Sequence, residues 1–482
     1  MERAFWLLDR GARFNGVGLV VLRGPIDEHL LQAGLKRLQA QHPLLRVRVA
    51  GDDRSLRFTE QGAGAIPLRV VHSASGCQHV VEHELNLPFA ADTDHLSRVT
   101  WVRDTTDPER SELVVTIHHV IADALSIVFA VRDLLSAIFA LSCTSTHAVP
   151  VTLLPPLVPA LPEVKPLPEV KALPQVKPLP PVPPLPELLP QTVRGLARFR
   201  SMQAYFEKQV LNKSVRRARK LPLQQPAPPE KRRNCLVQRT LTPAQTRALG
   251  EQARAAGASI HGALCAALLL GTAAAAYAAE LAADTPTTIG CFTALNLREQ
   301  LSPKVDADLG LYISQVTTFH QVVPLPPLWQ LAREVKAQLA ETLESGEQFL
   351  TMPLIGLFIP WGKNPGPRFI RRFDGGSPAA IGVSNLARPP IPSVYGALRI
   401  ENLSLAAGVS VVGQLMAIVT TWEDQLNLNL VFSEPLVSRA RAEQIADAAI
   451  QHLRAGAGLA DAQASSLEGR ATGGPAAGFR VS

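Results

Sequence analysis

Apolar residues recur along this chain in two periods, and each change of period marks a change of element. Gly16–Leu22 (GVGLVVL) is a short β-branched run that predicts a strand. From Asp27 to Gln41 the apolar positions Leu31, Leu35 and Leu38 fall on one face of a helix. His42-Pro43 ends that helix, because proline cannot donate to it and restricts the residue before it. Leu44–Val49 (LLRVRV) predicts a returning strand with Arg46 and Arg48 on the same face. After weak signals and a short acidic helix near Val80–Leu85, Leu113–Ile117 reads as a buried strand. His118 and His119 stand where it ends. Asp123 then opens a long helical pattern (Leu125, Val128, Phe129, Leu134, Leu135, Ile138) that closes the first unit near Leu141.

The second half repeats the alternation. Cys235–Leu241 predicts a strand and Thr242–Ala256 a helix, opened by Thr242-Pro243 as N-cap and first helical residue. An Ala-rich helix over 259–279, a strand over Thr288–Ala294, a strand over Tyr312–Val323 and a helix over Leu328–Leu343 follow. An irregular Pro/Gly-rich loop then runs to Gly376. Strands over Leu415–Thr421 and Leu426–Phe432 and a helix over Pro435–Arg454 complete the unit.

Between the halves the pattern breaks. From Leu161 to Pro190 a six-residue repeat (LPEVKP, LPEVKA, LPQVKP, LPPVPP, LPELLP) places proline too often for helix or interior strand, leaving polyproline II. At about 3.1 Å per residue, thirty such residues reach roughly 90 Å when extended. A semi-rigid spacer is the plain reading, and a ligand for an aromatic-lined groove the sharper one. Thr192–Lys220 then reads as a basic amphipathic helix. The expected partition is 1–148, first lobe; 149–191, proline-rich insert; 192–233, basic helix and connector; 234–454, second lobe; 455–482, an Ala/Gly/Ser-rich tail.

Composition adjusts this picture at three points. A chain of 482 residues exceeds one core and suits two domains of about 150–200 residues. The net charge of +7 is local: residues 194–233 hold twelve Lys/Arg against two Glu, a balance of +10, which leaves −3 elsewhere. That segment is either a solvated face or a dock for an acidic carrier protein or a phosphate-bearing cofactor; no nucleic-acid motif accompanies it. The five cysteines (Cys77, Cys143, Cys235, Cys265, Cys291) show no paired spacing, which suits a reducing cytoplasm and neither a disulfide framework nor a zinc site. The start, with acidic residues and no apolar run, predicts no signal peptide. The uncharged run 259–279 is long enough to span a membrane, but its composition and Ser259 cap favour a buried helix, so no transmembrane segment is expected.

The chemistry concentrates in Glu112–Ser126 (ELVVTIHHVIADALS). Two imidazoles at a strand-to-helix corner, with a carboxylate one turn on, suit proton transfer near neutrality. A metal reading fails for want of a third ligand. HHVIAD resembles the HHxxxD signature of the condensation-domain and CoA-dependent acyltransferase superfamily. QHPLLRVRV is similar to its RHxxLRxxF stretch, with Gln41 in the first place. TALNLREQ and IGVSNLARPP resemble its NLR and SNLG stretches, in the same order. Among its members the chain is most similar to stand-alone alcohol acyltransferases and polyketide-associated dimycocerosyl transferases.

The resemblance implies an α/β (α+β) fold of two chloramphenicol-acetyltransferase-like lobes, each a mixed sheet with helices, and a tunnel between them. It assigns general-base catalysis to His119, orientation to His118, and an Arg46–Asp123 salt bridge to fixing the corner. Asn296, Arg298, Ser384 and Asn385 would approach substrate from the second lobe. It implies no tightly bound cofactor and no metal, an acyl-CoA or phosphopantetheinyl carrier as donor, and an alcohol (or amine) as acceptor. A non-catalytic, partner-binding homologue and an amide-forming condensation enzyme stand as alternatives. Two departures from the pattern bear on the tunnel: Ala124 and Ala387 stand where the family has glycine, which would narrow the tunnel or change its substrate, and Ala124 would be strained at a positive φ but harmless in a helix.

Overall fold

The computed structural model describes residues 2–145 apart from 12, 52–54, 75 and 90–94; 185–190 and five residues between 202 and 207; and 218–459 apart from 351–378, where only Ile370 and Asp374 are described, and 410–412. Most of the proline-rich insert, the basic helix and the tail lie outside these residues.

The first lobe begins with helix α1 (Glu2–Asp9) and strand β1 (Asn15–Arg23). Helix α2 (Glu28–Gln41) is capped by Asp27, whose carboxylate accepts the N–H groups of His29 and Leu30. The expected strand after it forms only in part. Pro43 opens a 3-10 turn over Pro43–Arg46, and the strand β2 is confined to Arg48–Ala50, paired with β3 (Arg57–Thr59). Then come β4 (Leu68–Ser73), α3 (Gln78–Asn86), β5 (Ser97–Asp104), β6 (Arg110–His118) and the apolar helix α4 (Ala124–Ser145).

In the second half, β7 (Arg233–Leu241) leads to α5 (Pro243–Ala255), where Thr242 and Gln245 form a reciprocal capping box. Helix α6 (Ile260–Ala276) is the uncharged run; Ser259 caps it and every residue from Gly262 to Ala273 is buried. Strands β8 (Thr287–Asn296) and β9 (Ile313–Val323), helix α7 (Leu328–Glu344) and strand β10 (Ala379–Asn385) follow. After β11 (Val394–Tyr395) and β12 (Leu398–Ala407), strands β13 (Leu415–Trp422) and β14 (Gln425–Glu434) precede α8 (Arg439–Gly456). That helix starts four residues later than its apolar pattern because Ser438, not Pro435, supplies the cap.

These elements build two six-stranded sheets, in the orders β11-β12-β1-β6-β5-β4 and β7-β14-β13-β10-β8-β9. Both mix parallel with antiparallel pairs, and helices cover each. The sheets do not follow the chain cleanly. Residues 394–407 lie within the range read as the second lobe, yet β12 pairs with β1 from Gly16–Ala407 to Arg23–Arg399. The apolar residues Ile400, Leu403 and Leu405 of β12 join the core of the first lobe, which is why the strand belongs there. Among the described helices, residues 124–143 are long and apolar enough to cross a membrane; here they pack on α2 and on β1 and β6.

Candidate active site

Strand β6 carries the apolar run into the interior, and the chain turns as soon as His118 is passed. The His118 backbone N–H donates to the Leu96 carbonyl at 2.8 Å, and that of His119 to the Phe14 carbonyl at 2.8 Å. These bonds fix the corner before either side chain is considered.

The two rings diverge. His118 is fully buried, and its Nδ1 accepts the Val120 N–H at 3.0 Å. That bond leaves the proton on Nε2, which lies 3.5 Å from Asp9 Oδ1. Trp6 and Phe89 pack on the same ring, with centroids at 5.2 and 5.7 Å. His118 is therefore held on all sides.

His119 is half-buried and lies parallel to Phe5, with centroids 5.2 Å apart and 3° between planes. Its Nδ1 makes no well-formed hydrogen bond to any described residue. Burial pushes its pKa below the usual 6.5, and the Asp123 charge offsets this only in part, so the neutral ring is favoured.

His119 lines a cavity of about 80 Å³. Gly16, Ala122, Asp123, Ala124 and Ile127 complete the wall from the first lobe; Ala294, Ile313, Ser384, Met416 and Ile418 supply that of the second. Leu405, Ala406 and Ala407 of the crossing strand β12 lie between. Among the described residues, the surface is apolar apart from His119, Asp123 and Ser384.

Asp123 does not meet Arg46. Its carboxylate is buried and takes a bidentate pair of bonds from Arg298, Nη1 to Oδ2 at 2.7 Å and Nη2 to Oδ1 at 3.0 Å. Oδ1 also accepts the Ser126 N–H at 2.8 Å, the N-cap bond of α4, and Oδ2 accepts the Tyr312 N–H at 3.0 Å. Ser126 Oγ accepts from Arg298 Nη2 at 2.9 Å and from the Gly310 N–H at 3.1 Å. The guanidinium rests on the Tyr312 ring, 4.7 Å from its centroid. A corner of the first lobe is thus tied to the β8–β9 connection of the second.

Arg46 sits in the 3-10 turn instead of a strand, and this aims it outward. It donates to Glu60 Oε1 and to the Ala40 carbonyl. The part of the QHPLLR stretch that reaches α4 is its beginning: His42 Nε2 lies 2.9 Å from Asp133 Oδ2, and Gln41 donates to the same oxygen at 3.1 Å.

The remaining expectations divide. Ser384 lines the cavity. Arg298, expected to approach substrate, is buried in the ion pair and is not among the residues that line the cavity. Asn296 points its Oδ1 at the Arg298 N–H, 3.1 Å away, and so supports the arginine. Asn385 accepts the Ala387 N–H at 2.9 Å and shapes a turn. Ala124 is the first residue of α4 and is unstrained, whereas Ala387 has φ of +52°. Ser126 escaped the sequence reading, although a serine three residues after a helix-capping aspartate is the available signal.

With this geometry in place, the likenesses to known proteins are specific. Residues 231–431 match the family model of the phthiocerol/phthiodiolone dimycocerosyl transferase C-terminus. No protein of curated function matches the sequence. The fold is similar to that of polyketide synthase associated protein 5 from Mycobacterium tuberculosis (TM-score 0.60, 15% identity, 94% of this chain and 96% of that one). It is also similar to the trichothecene 15-O-acetyltransferase of Fusarium sporotrichioides (TM-score 0.69, 13% identity, 94% and 93%). The first condensation domain of the calcium-dependent antibiotic synthetase gives a TM-score of 0.62 at 13% identity, over 95% and 94%. Residues 231–431 thus match the dimycocerosyl transferase C-terminal family, and over 94–95% of the chain the fold is similar to that of these three proteins.

Proposed function

We propose that the protein is an O-acyltransferase, moving an acyl group from a thioester donor to an alcohol inside the cavity between the lobes. The observation that carries this reading is His119: a half-buried imidazole, its pKa lowered by burial, on the wall of a largely apolar chamber that it shares with Asp123 and Ser384. An unprotonated ring in such a place accepts the hydroxyl proton as the alcohol oxygen attacks the thioester carbonyl. The tetrahedral oxyanion needs a donor, and Ser384, in the part of the lining that comes from the second lobe, offers its hydroxyl. Collapse breaks the carbon–sulfur bond, and the proton held by His119 leaves with the thiolate. The ester is released, and the imidazole is neutral again.

Asp123 does not take part in proton transfer on this account. The hydrogen bonds of its carboxylate go to Arg298, Ser126 and Tyr312, so it holds the corner that aims His119. The preference for an alcohol over an amine rests on likeness to the stand-alone acyltransferases. The donor is CoA or a carrier-borne phosphopantetheine; the +10 balance of residues 194–233 suits an acidic carrier protein. No tightly bound cofactor enters the reaction.

The test is mass spectrometry of products from a panel of acyl thioesters and alcohols, with wild type and His119→Ala. Ester formation that falls by about 10²–10⁴ in the variant supports the assignment. Undiminished turnover would remove His119 from it.

A further inference from the structure

We propose that Phe292, one row beyond the cavity lining, blocks extension of the cavity along the sheet and so sets the length of the chain it accepts; the reading as an acyltransferase supplies only the identity of that chain. The inference starts from the sheet register. In the second sheet, Ser384 of β10 lies beside Ile418 of β13, and both line the cavity, as does Ala294 of β8. One step along the strands on the same face, Phe292 pairs with Gly382, and Gly382 with Met416. Of this second row, Met416 lines the cavity and Phe292 does not.

The reason lies at Gly382. A Cβ placed there would fall 2.0–2.6 Å from three atoms of the Phe292 ring. The ring therefore occupies the space above the glycine, where a side chain or a ligand would otherwise lie. Gly382 has no positive φ, so the glycine answers to the ring and not to a turn. On the far side, a Cβ at Gly413 would meet the same ring at 3.4 Å. Phe292 is itself buried, at 7% exposure. One aromatic side chain thus fills the space over Gly382, next to the cavity-lining Met416.

A straight alkyl chain entering past His119 gains about fourfold in affinity for each methylene it buries, until it meets a wall. Trimming the ring moves that wall. The Phe292→Ala and Phe292→Leu variants leave His119, Ser384 and the Asp123–Arg298 pair untouched. The shorter truncation guards against loss of fold.

The probe is a series of S-alkyl-CoA thioethers, C4 to C16, which bind but cannot transfer. Affinity in the wild type is expected to rise with length and then level off. In Phe292→Ala the plateau moves to longer chains, with at least about a tenfold gain for the first lengths past the wild-type plateau and little change for C4. Phe292→Leu gives a smaller shift in the same direction. A plateau at the same length in both folded variants overturns the inference, as does affinity independent of length. The parallel turnover series, with acyl-CoA donors and an alcohol, separates the two claims. Transfer with an unchanged length profile sinks the end wall alone. A shifted binding plateau without transfer leaves the wall standing and removes the acyltransferase reading.

Discussion

Arg298 and Asp123 are 175 residues apart in sequence and share two charge-assisted hydrogen bonds of 2.7 and 3.0 Å in a site that excludes solvent. A buried pair of this kind does not by itself raise stability, because both ions lose their water. Removing one member is another matter, since the survivor is left charged and unpaired. Arg298→Met should therefore cost about 3–5 kcal/mol in urea or thermal unfolding. The paired change Asp123→Asn with Arg298→Met should cost less than the sum of the singles. Additive losses would mean that the contact does not couple the lobes.

Arg46 provides the opposite expectation. Its carboxylate partner, Glu60, is 62% exposed. An exposed pair contributes roughly 0–1 kcal/mol. Arg46→Ala should leave both the unfolding midpoint and the transfer rate close to wild type. A loss as large as that from Arg298→Met would restore Arg46 to the role that its motif implies.

The contrast between these arginines shows what was legible in the sequence. Strands and helices with strong periodicity, such as the run into His118 and the caps at Thr242 and Ser259, follow from local chemistry and lie where the pattern puts them. The partner of Asp123 does not follow from local chemistry. Two stretches each offer an arginine, and the choice depends on the 3-10 turn at Pro43–Arg46 and on the arrangement of the lobes. The cavity wall was opaque for a similar reason. Ala294, Ile313, Leu405 and Met416 are ordinary sheet residues, and only the packing of two sheets brings them to one space.

On the proposed mechanism, the protonation state of His119 sets the acid side of the pH profile. Burial lowers its pKa from 6.5, so the ring keeps its free base at pH values where an exposed histidine is already charged. The acid limb of kcat/KM, which reports the free enzyme, should therefore fall off below pH 6.5. The sign for stability is the same: the unfolded chain binds the proton more readily, so acid weakens the fold from about pH 6.5 downward, until the folded ring is protonated too. His119→Gln should remove this contribution from the unfolding profile. An acid limb centred above 6.5 would contradict the desolvated setting.

Ala387 tests the turn beside the cavity. Its φ of +52° is left-handed, a region that costs a residue with a Cβ roughly 1–2 kcal/mol. The turn survives because its ends are bonded: the Ala387 N–H donates to Asn385 Oδ1 and its carbonyl accepts the Thr421 N–H at 2.7 Å. Glycine removes the steric cost but adds about 0.5–1 kcal/mol of chain entropy to the unfolded state. Ala387→Gly should therefore stabilise by up to about 1 kcal/mol, seen as a higher denaturant midpoint at unchanged slope. Asn385→Ala acts in the opposite direction, because the Ala387 N–H loses its acceptor while the strain remains. If glycine lowered the midpoint, the left-handed residue would have to be relaxed by something other than these two bonds.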